Sequence, residues 1–325
     1  MVLSRRHLTL AGLSAPFLAA APAIAQAGWR PTQAVRLVIP FAPGTAMDPV
    51  ARFVQNHIQE TLGVPLVIEN RPGAATVVAG TDVLRAPADG HTMFMIANSF
   101  AANVTLRAQR TATWPREFSP LVQATFVPHV LTVAKGIGDD FKSFMDYAKT
   151  PGCEITYGSP GVGTSLHLGA EQFSRLAGIK SVHAAYNGTA QLILDITAGR
   201  VQFMFANLPD VVQPVREGQM RALAVAAEKR SREFPDVPTV GELGFPQVLS
   251  DSWFGIVVRS ETPDPAKAVL ERAWIAALTN ADIRARLEAL GYDVPAKPSA
   301  EFAALIQKYI QVYAGVIKDA NISVD

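Results

Sequence analysis

The 325-residue sequence contains a single cysteine, Cys153. One thiol cannot form an internal disulfide, and no CxxC partner is present, so the fold must depend on the burial of apolar side chains. Apolar residues make up 49% of the chain, enough to fill the cores of the two domains that this length predicts. We interpret Cys153 as a structural residue and not as a nucleophile.

The sequence also lacks an excess of charge, because 29 Lys and Arg residues oppose 28 Asp and Glu residues. Without a dense basic run or a basic patch interleaved with aromatic residues, a nucleic-acid partner is not expected. The histidines are scattered, with no HExxH pattern and no Cys/His cluster, so we predict neither a metal nor another cofactor. After residue 27, no apolar run is long enough to span a bilayer.

Residues 1–27 are typical of an export signal. The pair Arg5-Arg6, in the pattern S-R-R-x-L, precedes an apolar Ala/Leu segment that ends in small residues suited to cleavage. The pattern resembles the twin-arginine signal of bacteria, whose cargo usually crosses the inner membrane already folded. An ordinary secretory leader is the alternative interpretation. In either case we expect a periplasmic mature protein.

The remaining chain alternates short apolar strands with amphipathic helices. Strands at 35–41, 64–69 and 92–97, with helices between them, predict a doubly wound parallel sheet with helices on both faces. The first helix is expected to begin with Asp48 as its N-cap and Pro49 at its first position.

A polar, irregular stretch is predicted at 107–120, and the alternation then restarts as a second α/β unit. Its predicted strands lie at 126–134 (interrupted at Pro128), 155–158, 182–185, 201–205 and 221–226, with a turn at 206–209. An irregular covering segment is expected at 232–250, then a strand at 252–258 and helices at 265–279, 281–289 and 299–320. We therefore predict two lobes, with the C-terminal helices completing the first.

Two glycine-bearing loops follow strands, one in each predicted lobe. Pro43 to Asp48 and the pair Asn98-Ser99 should share the rim of lobe 1, because ligand crevices lie beyond the carboxyl ends of parallel strands. In lobe 2 the corresponding rim comprises 159–165, 186–189 and Asn207. Thr164 and Ser165 are positioned to cap a helix whose free amides and dipole favour a carboxylate or phosphate.

Two other chemistries fit this pattern poorly. The stretch from Gly158 to Ser165 nearly matches G-x-x-x-x-G-K-[ST], but Thr164 stands where the lysine is needed, which argues against nucleotide hydrolysis. A serine hydrolase would need a G-x-S-x-G elbow, and none occurs. His167 is interpreted as a packed or hydrogen-bonding residue.

Several stretches together resemble the periplasmic substrate-binding proteins of tripartite tricarboxylate transporters, also called Bug-type receptors. They include V-R-L-V-I-P-F-A-P-G from Val35, I-E-N-R-P-G-A from Ile68, Y-G-S-P-G-V-G-T-S-L-H-L from Tyr157 and S-W-F-G from Ser252. The resemblance covers essentially 28–322. It implies an α/β periplasmic-binding-protein (Venus flytrap) architecture that closes on a small carboxylate and delivers it to membrane permease subunits.

The resemblance also implies domains and site residues. Residues 28–126 and 253–325 would form lobe 1, residues 127–252 lobe 2, and two strands would cross between them. The expected ligand-binding residues, including two rim aromatics that could stack on a ligand, are Phe41, Ala42, Gly44, Thr45, Asp48, Ser99, Ser159, Gly161, Gly163, Thr164, Ser165, Tyr186 and Asn207.

Departures from the family pattern lie at the rim. Thr45 occupies a position that is usually glycine, Asn187 one that is usually lysine, and Ala206 one that is commonly acidic. They suggest a ligand with fewer charged groups than citrate. We expect a soluble monomer that performs no covalent chemistry. A hydrolase using Ser165 or Ser159, and a ligand sensor for a signalling partner, are the alternatives.

Overall fold

The computed structural model describes residues 28–248 and 250–324, so the predicted leader at 1–27 lies outside the described residues. The strands are β1 (Val35–Ile39), β2 (Leu66–Asn70), β3 (Thr92–Ala97), β4 (Phe118–Ala134), β5 (Ile155–Ser159), β6 (Ser181–Ala185), β7 (Phe203–Asn207), β8 (Met220–Ala226), β9 (Asp251–Arg259) and β10 (Lys297–Pro298). The α-helices are α1 (Met47–Leu62), α2 (Val77–Arg85), α3 (Asn98–Leu106), α4 (Ala108–Thr111), α5 (Trp114–Glu117), α6 (Phe141–Ala148), α7 (Ser165–Ala177), α8 (Thr189–Thr197), α9 (Leu208–Arg216), α10 (Asp264–Thr279), α11 (Ala281–Glu288) and α12 (Ser299–Asp319).

The strands form one hydrogen-bonded sheet in the order β2-β1-β3-β9-β4-β7-β5-β6, and β8 and β10 also pair with β4. β1 is parallel to β2 and β3, and β5 is parallel to β6 and β7. We call the part built on β1–β3 lobe 1 and the part built on β5–β7 lobe 2. β4 joins the lobes because it pairs with β9 and, further along, with β7.

Helices cover both faces of the sheet, as the alternating side chains of β1 show. Leu37 and Ile39 belong to one core together with Val54 of α1, whereas Val38 belongs to a second core together with Phe302 of α12. Successive side chains of a strand point to opposite faces, so the two cores lie on opposite sides of the sheet. Among the described residues, no helix combines the length and apolarity needed to cross a membrane.

β4 differs most from the prediction. The chain is extended from Phe118 to Ala134 without a break at Pro128, so the interruption predicted there is wrong. Pro128 is the last residue that pairs with β9, and His129 is the first that pairs with β7 and β8. Proline lacks an amide donor and is therefore tolerated where the ladder changes partners. The predicted lobe boundaries at 126/127 and 252/253 fall inside β4 and β9 and stay predictions.

Two further predictions are corrected by helices. The stretch predicted as irregular, 107–120, contains α4, α5 and the start of β4. The turn predicted at 206–209 is the end of β7 and the beginning of α9. Pro209 lies at the start of that helix, where a missing amide donor costs nothing, and Pro214 lies inside it.

Candidate functional site

A cavity lies between the two lobes. Lobe 1 contributes the β1–α1 loop, the β3–α3 junction and β9, and lobe 2 contributes the β5–α7 loop and the beginnings of α8 and α9. The lining residues are Phe41, Thr45, Ala46, Met47, Ala97, Ser99, Pro160, Thr164, Ser165, Leu166, Thr189, Asn207, Asp210, Ser252 and Phe254.

Five helices begin at this cavity. Ala46, Thr164 and Asn207 are the N-caps of α1, α7 and α9, and Ser99 and Thr189 lie in the first turns of α3 and α8. Each helix start carries a partial positive charge, which stabilises a nearby anion by about 0.3 to 1 kcal/mol. None of the lining residues is Lys or Arg. The cavity can therefore attract an anion without a basic side chain.

Four oxygen atoms in the cavity wall have no hydrogen-bond partner among the described residues: Thr45 Oγ1, Ser99 Oγ, Thr189 Oγ1 and Asn207 Oδ1. Their residues are at most 8% exposed. Buried polar atoms in folded proteins nearly always have a partner, because an unpaired one costs about 1 to 3 kcal/mol. These atoms are positioned to bond to a polar ligand.

The β5–α7 loop owes its tight shape to Gly161 and Gly163, with φ angles of 142° and 86°. The Thr164 hydroxyl donates to the Gly161 carbonyl at 2.8 Å and accepts from the His167 amide at 3.3 Å. The predicted capping role of Thr164 is confirmed, whereas Ser165 is the first residue of the helix.

The β1–α1 loop differs from the prediction. Ala46 is the N-cap of α1, so the prediction that Asp48 caps this helix is wrong. The Asp48 carboxylate instead accepts from the Gly44 amide at 2.5 Å and from the Asn70 side chain at 3.3 Å, and so it closes the loop from within the first turn. Gly44 and Asp48 are thus bonded to each other, and neither lines the cavity.

A second cavity adjoins the first and shares Phe41 and Pro160 with it. The predicted site residues Gly161 and Tyr186 line this second cavity. The Tyr186 hydroxyl donates to Asp195 Oδ2 at 2.7 Å within lobe 2, so it is already engaged.

Of the other predicted site residues, Phe41, Thr45, Ser99, Thr164, Ser165 and Asn207 line the first cavity. Ala42, Ser159 and Gly163 line neither cavity. Ala42 lies opposite lobe 2, where a Cβ added to Gly188 would be 3.7 Å from the Ala42 side chain. The binding roles of all these residues stay predictions.

Neither serine considered as a nucleophile has the necessary surroundings. Ser159 is fully buried, and its Oγ is 2.7 Å from His183 Nε2 and donates to the Gly161 carbonyl. Ser165 Oγ lies 3.1 Å from Ser252 Oγ and reaches His129 only through that second hydroxyl. No group of three or more potential metal-ligating side chains occurs in the described part of the chain.

Sequence reasoning missed Asp210 in the cavity wall. Asp210 Oδ2 accepts from Asn207 Nδ2 at 3.2 Å, and burial raises the pKa of the Asp210 carboxyl to about 7, although the side chains of Asn207 and Thr189 act in the opposite direction. The sequence does contain a signal for this position, because a proline followed by an acidic residue, here Pro209 and Asp210, is typical of the first turn of a helix. It was missed because no helix was predicted there.

Comparisons with known proteins agree with this geometry. A family model described as "Tripartite tricarboxylate transporter family receptor" matches residues 50–322. The protein BugT of Bordetella pertussis is 27% identical over 317 residues, which cover 97% of this chain and 95% of BugT.

Two solved structures share the fold. MatC from Rhodopseudomonas palustris with bound malate is 30% identical, with a TM-score of 0.83 over 88% of this chain and 99% of MatC. Another R. palustris protein, with adipate, is 28% identical, with a TM-score of 0.85 over 90% of this chain and 99% of that protein. The predicted two-lobed α/β architecture is confirmed by these similarities.

Proposed function

Since the chain belongs to the tripartite tricarboxylate transporter receptor family, we propose that its interlobe cavity binds one small carboxylate. The observation that carries this proposal is the pair of wall hydroxyls, Thr45 Oγ1 and Ser99 Oγ, that have no partner among the described residues at a point where five helices begin. A carboxylate accepts hydrogen bonds from hydroxyls and is favoured by helix N-termini. The two R. palustris neighbours hold malate and adipate, which are carboxylates.

Within this proposal, the ligand carboxylate accepts hydrogen bonds from Thr45 and Ser99 of lobe 1 and from Ser165 of lobe 2, while Thr164 holds the β5–α7 loop through its bond to the Gly161 carbonyl. Lobe closure removes water from the carboxylate, and a hydrogen bond is electrostatically stronger in the lower dielectric of the closed cavity. The remaining predicted residues of the two loops, among them Ala42, Gly44 and Gly161, hold the loop shapes that present these hydroxyls.

The wider role follows from the family. The chain is a solute receptor and not an enzyme, because the family model and the similar structures describe receptors. We propose that it delivers its ligand to the membrane permease subunits of a tripartite transporter, that it acts as a monomer in the periplasm, and that residues 1–27 direct its export by the twin-arginine route.

A thermal-shift screen of mono-, di- and aromatic carboxylates tests the binding proposal. A ligand present at about 100 times its dissociation constant should add about 2.7 kcal/mol to the free energy of unfolding. The proposal predicts that at least one small carboxylate raises the melting temperature and is recovered unchanged. No stabilisation by any carboxylate would contradict it, and a new product would favour the hydrolase alternative.

Two serine variants make the test specific to the cavity. Ser99 and Ser174 are both buried, and neither hydroxyl has a partner within residues 28–248 and 250–324, but only Ser99 lines the cavity. Ser99→Ala should weaken binding of the stabilising carboxylate about tenfold, because it removes a hydrogen bond to a charged oxygen. Ser174→Ala should leave the affinity unchanged. Equal effects of the two substitutions would reject a direct contact from Ser99.

A sensor role is the second candidate, since the same closed form could be recognised by a signalling protein in place of a permease. A transport assay in cells distinguishes the two. Loss of ligand uptake on deletion of this chain supports the permease route, and unchanged uptake with loss of a transcriptional response supports the sensor.

A further inference from the structure

Two acceptor groups lie side by side on the lobe 2 wall of the first cavity. Asn207 uses its amide nitrogen to donate to Asp210 Oδ2, and its own oxygen, Oδ1, is left without a partner in the described structure. Both residues line the cavity, and Asn207 is only 7% exposed. Buried acceptors in folded proteins nearly always have a hydrogen-bond donor. A ligand in the cavity can supply that donor to Asn207 Oδ1.

The charge of Asp210 has no cationic counterpart in the cavity wall. Its neighbours Asn207 and Thr189 are neutral, and no lining residue is Lys or Arg. Two further titratable groups lie on this side: Tyr292 interacts with Asp210, and Asp48 interacts with Tyr292. The Tyr292 phenol donates to the Ala46 carbonyl at 2.6 Å, and Asp48 is held inside the β1–α1 loop. Burial, with Asp210 and Asp48 adding to it, raises the pKa of Tyr292, so that phenol stays neutral.

We infer that this cavity selects a carboxylate that also carries a hydrogen-bond donor, above all an ammonium group, which binds to Asp210 and Asn207. The inference rests on the proposed function, since it assigns the second end of the same ligand. The carboxylate end lies among the hydroxyls of Thr45, Ser99 and Ser165, and the donor end lies at Asp210 and Asn207 on the lobe 2 wall. The ligand class is therefore an aminocarboxylate, with hydroxycarboxylates as weaker members.

The same wall discriminates against a ligand with two ionised carboxylates. A second carboxylate placed at Asp210 would face a like charge in a partly buried site, with Asn207 Oδ1 still unpaired, and like charges brought together there repel strongly. Burial raises the pKa of Asp210 to about 7. Below that pH the protonated Asp210 carboxyl can donate a hydrogen bond to the second carboxylate of a dicarboxylate ligand. Above that pH the ionised Asp210 favours a ligand ammonium group.

Calorimetric titrations with matched ligands test this inference. For each carbon chain of about two to six atoms, the series comprises the unsubstituted carboxylate, its α- and ω-amino derivatives, its hydroxy derivative and the corresponding dicarboxylate. For wild type at about pH 8, an aminocarboxylate should bind about tenfold or more tightly than its unsubstituted parent, because a charge-assisted hydrogen bond is gained. This preference should decrease toward about pH 6, and dicarboxylate binding should strengthen over the same range.

Asp210→Asn keeps the shape of the side chain and removes its charge. We expect this variant to lose the preference for the aminocarboxylate, to gain affinity for dicarboxylates and to show no pH dependence of the preference. Asp264→Asn, at a side chain that is 94% exposed on α10, is the matched control and should behave as wild type. If Asp210→Asn does not fold, the inference is tested on wild type alone, by whether its preference for aminocarboxylates decreases from about pH 8 to about pH 6.

Three outcomes separate the inference from the function on which it rests. A wild-type preference for aminocarboxylates that Asp210→Asn abolishes supports it. Wild-type binding of dicarboxylates or unsubstituted carboxylates as tight as that of aminocarboxylates at about pH 8 overturns it and leaves the proposed function intact. Failure of every carboxylate to bind at either pH overturns both.

Discussion

Arg107 of lobe 1 donates from Nη1 to the carbonyl oxygen of Val162 in the β5–α7 loop of lobe 2, at 3.3 Å. The same nitrogen donates to Asn103 Oδ1 at 2.6 Å, which holds the guanidinium against α3. The contact therefore joins the loop of one lobe to a helix of the other. It must break when the lobes separate, so it contributes to the stability of the closed form.

Arg107→Ala is expected to weaken ligand affinity about threefold to tenfold, because one hydrogen bond from a charged donor is lost from the closed form only. Arg110→Ala, at an exposed position of α4, should leave the affinity at the wild-type value. Calorimetric titration with the carboxylate found in the screen measures both. Identical affinities for the two variants would show that the Arg107 contact does not contribute to closure.

Gly163→Ala should also weaken closure, by a steric route. A Cβ at Gly163 would lie 2.5 Å from Leu106 Cδ2 of lobe 1, whereas a Cβ at Gly178, which shares the left-handed backbone, has nothing within 4 Å. Both substitutions strain the backbone by about 1 to 2 kcal/mol. Only Gly163→Ala should lower ligand affinity, by about threefold to tenfold, because the end of the Leu106 side chain must shift at the lobe contact. Equal affinities in the two variants would exclude a steric role at the lobe contact.

Thr164→Ala removes the N-cap of α7 and should reduce the free energy of unfolding by about 1 kcal/mol. Because Thr164 Oγ1 also holds the Gly161 carbonyl, the substitution loosens the loop and should lower ligand affinity as well. Asn280→Ala removes the N-cap of α11, outside the cavity, and should cost similar stability at unchanged affinity. Denaturant unfolding and calorimetry together separate the two effects, and an unaltered affinity in Thr164→Ala would refute the loop role.

Acid should destabilise the protein through its buried histidines. Burial lowers the pKa of His129 and of His167 to about 3, and that of His183 to about 4. Histidine in the unfolded chain has a pKa of about 6.5, so below that pH the unfolded state binds more protons than the folded state. The contribution of the neutral, buried histidines to the free energy of unfolding is fully present above about pH 6.5. It decreases by about 1.4 kcal/mol per pH unit for each histidine as the pH falls toward about 4.

Urea unfolding at several pH values measures this slope. His129, fully buried between Ser250 and Ser252 where β4 passes β9, offers the sharpest variant. His129→Gln should be less stable at neutral pH, because the two hydroxyls lose a ring nitrogen partner, but its stability should decrease less steeply with acid. A slope equal to that of wild type would show that His129 takes up its proton in the folded state.

Much of the fold could be predicted because its signals are local. Apart from Arg36 and Thr92, the runs Val35–Ile39 and Thr92–Ala97 are apolar, as buried parallel strands are, and both form strands. Thr164 was recognised as a cap because a hydroxyl residue after a glycine-rich turn has one common use. α9 was missed because it contains two prolines, which usually argue against a helix. Pro209 lies at the helix start, where proline is tolerated, and Pro214 lies inside the helix.

The misassigned role of Asp48 has a different cause. Asp-Pro is a frequent helix start, but here α1 begins one residue before Asp48, and the carboxylate turns back to the Gly44 amide and to Asn70 on the neighbouring strand. Asn70 is 22 residues away along the chain. A choice between a cap and such a contact depends on what folding brings near, which local sequence does not encode.

The amino-acid sequence by itself determined the alternation of strands and helices, the glycine turns and the capping hydroxyls, because these depend on neighbours within a few positions. Only the tertiary structure decided that five helix starts from two lobes meet at one cavity, that oxygens of Thr45, Ser99 and Asn207 there have no partner among the described residues, and that Asp210 lies beside them. Burial and charge compensation depend on groups from distant parts of the chain, so they exist only once the lobes have come together.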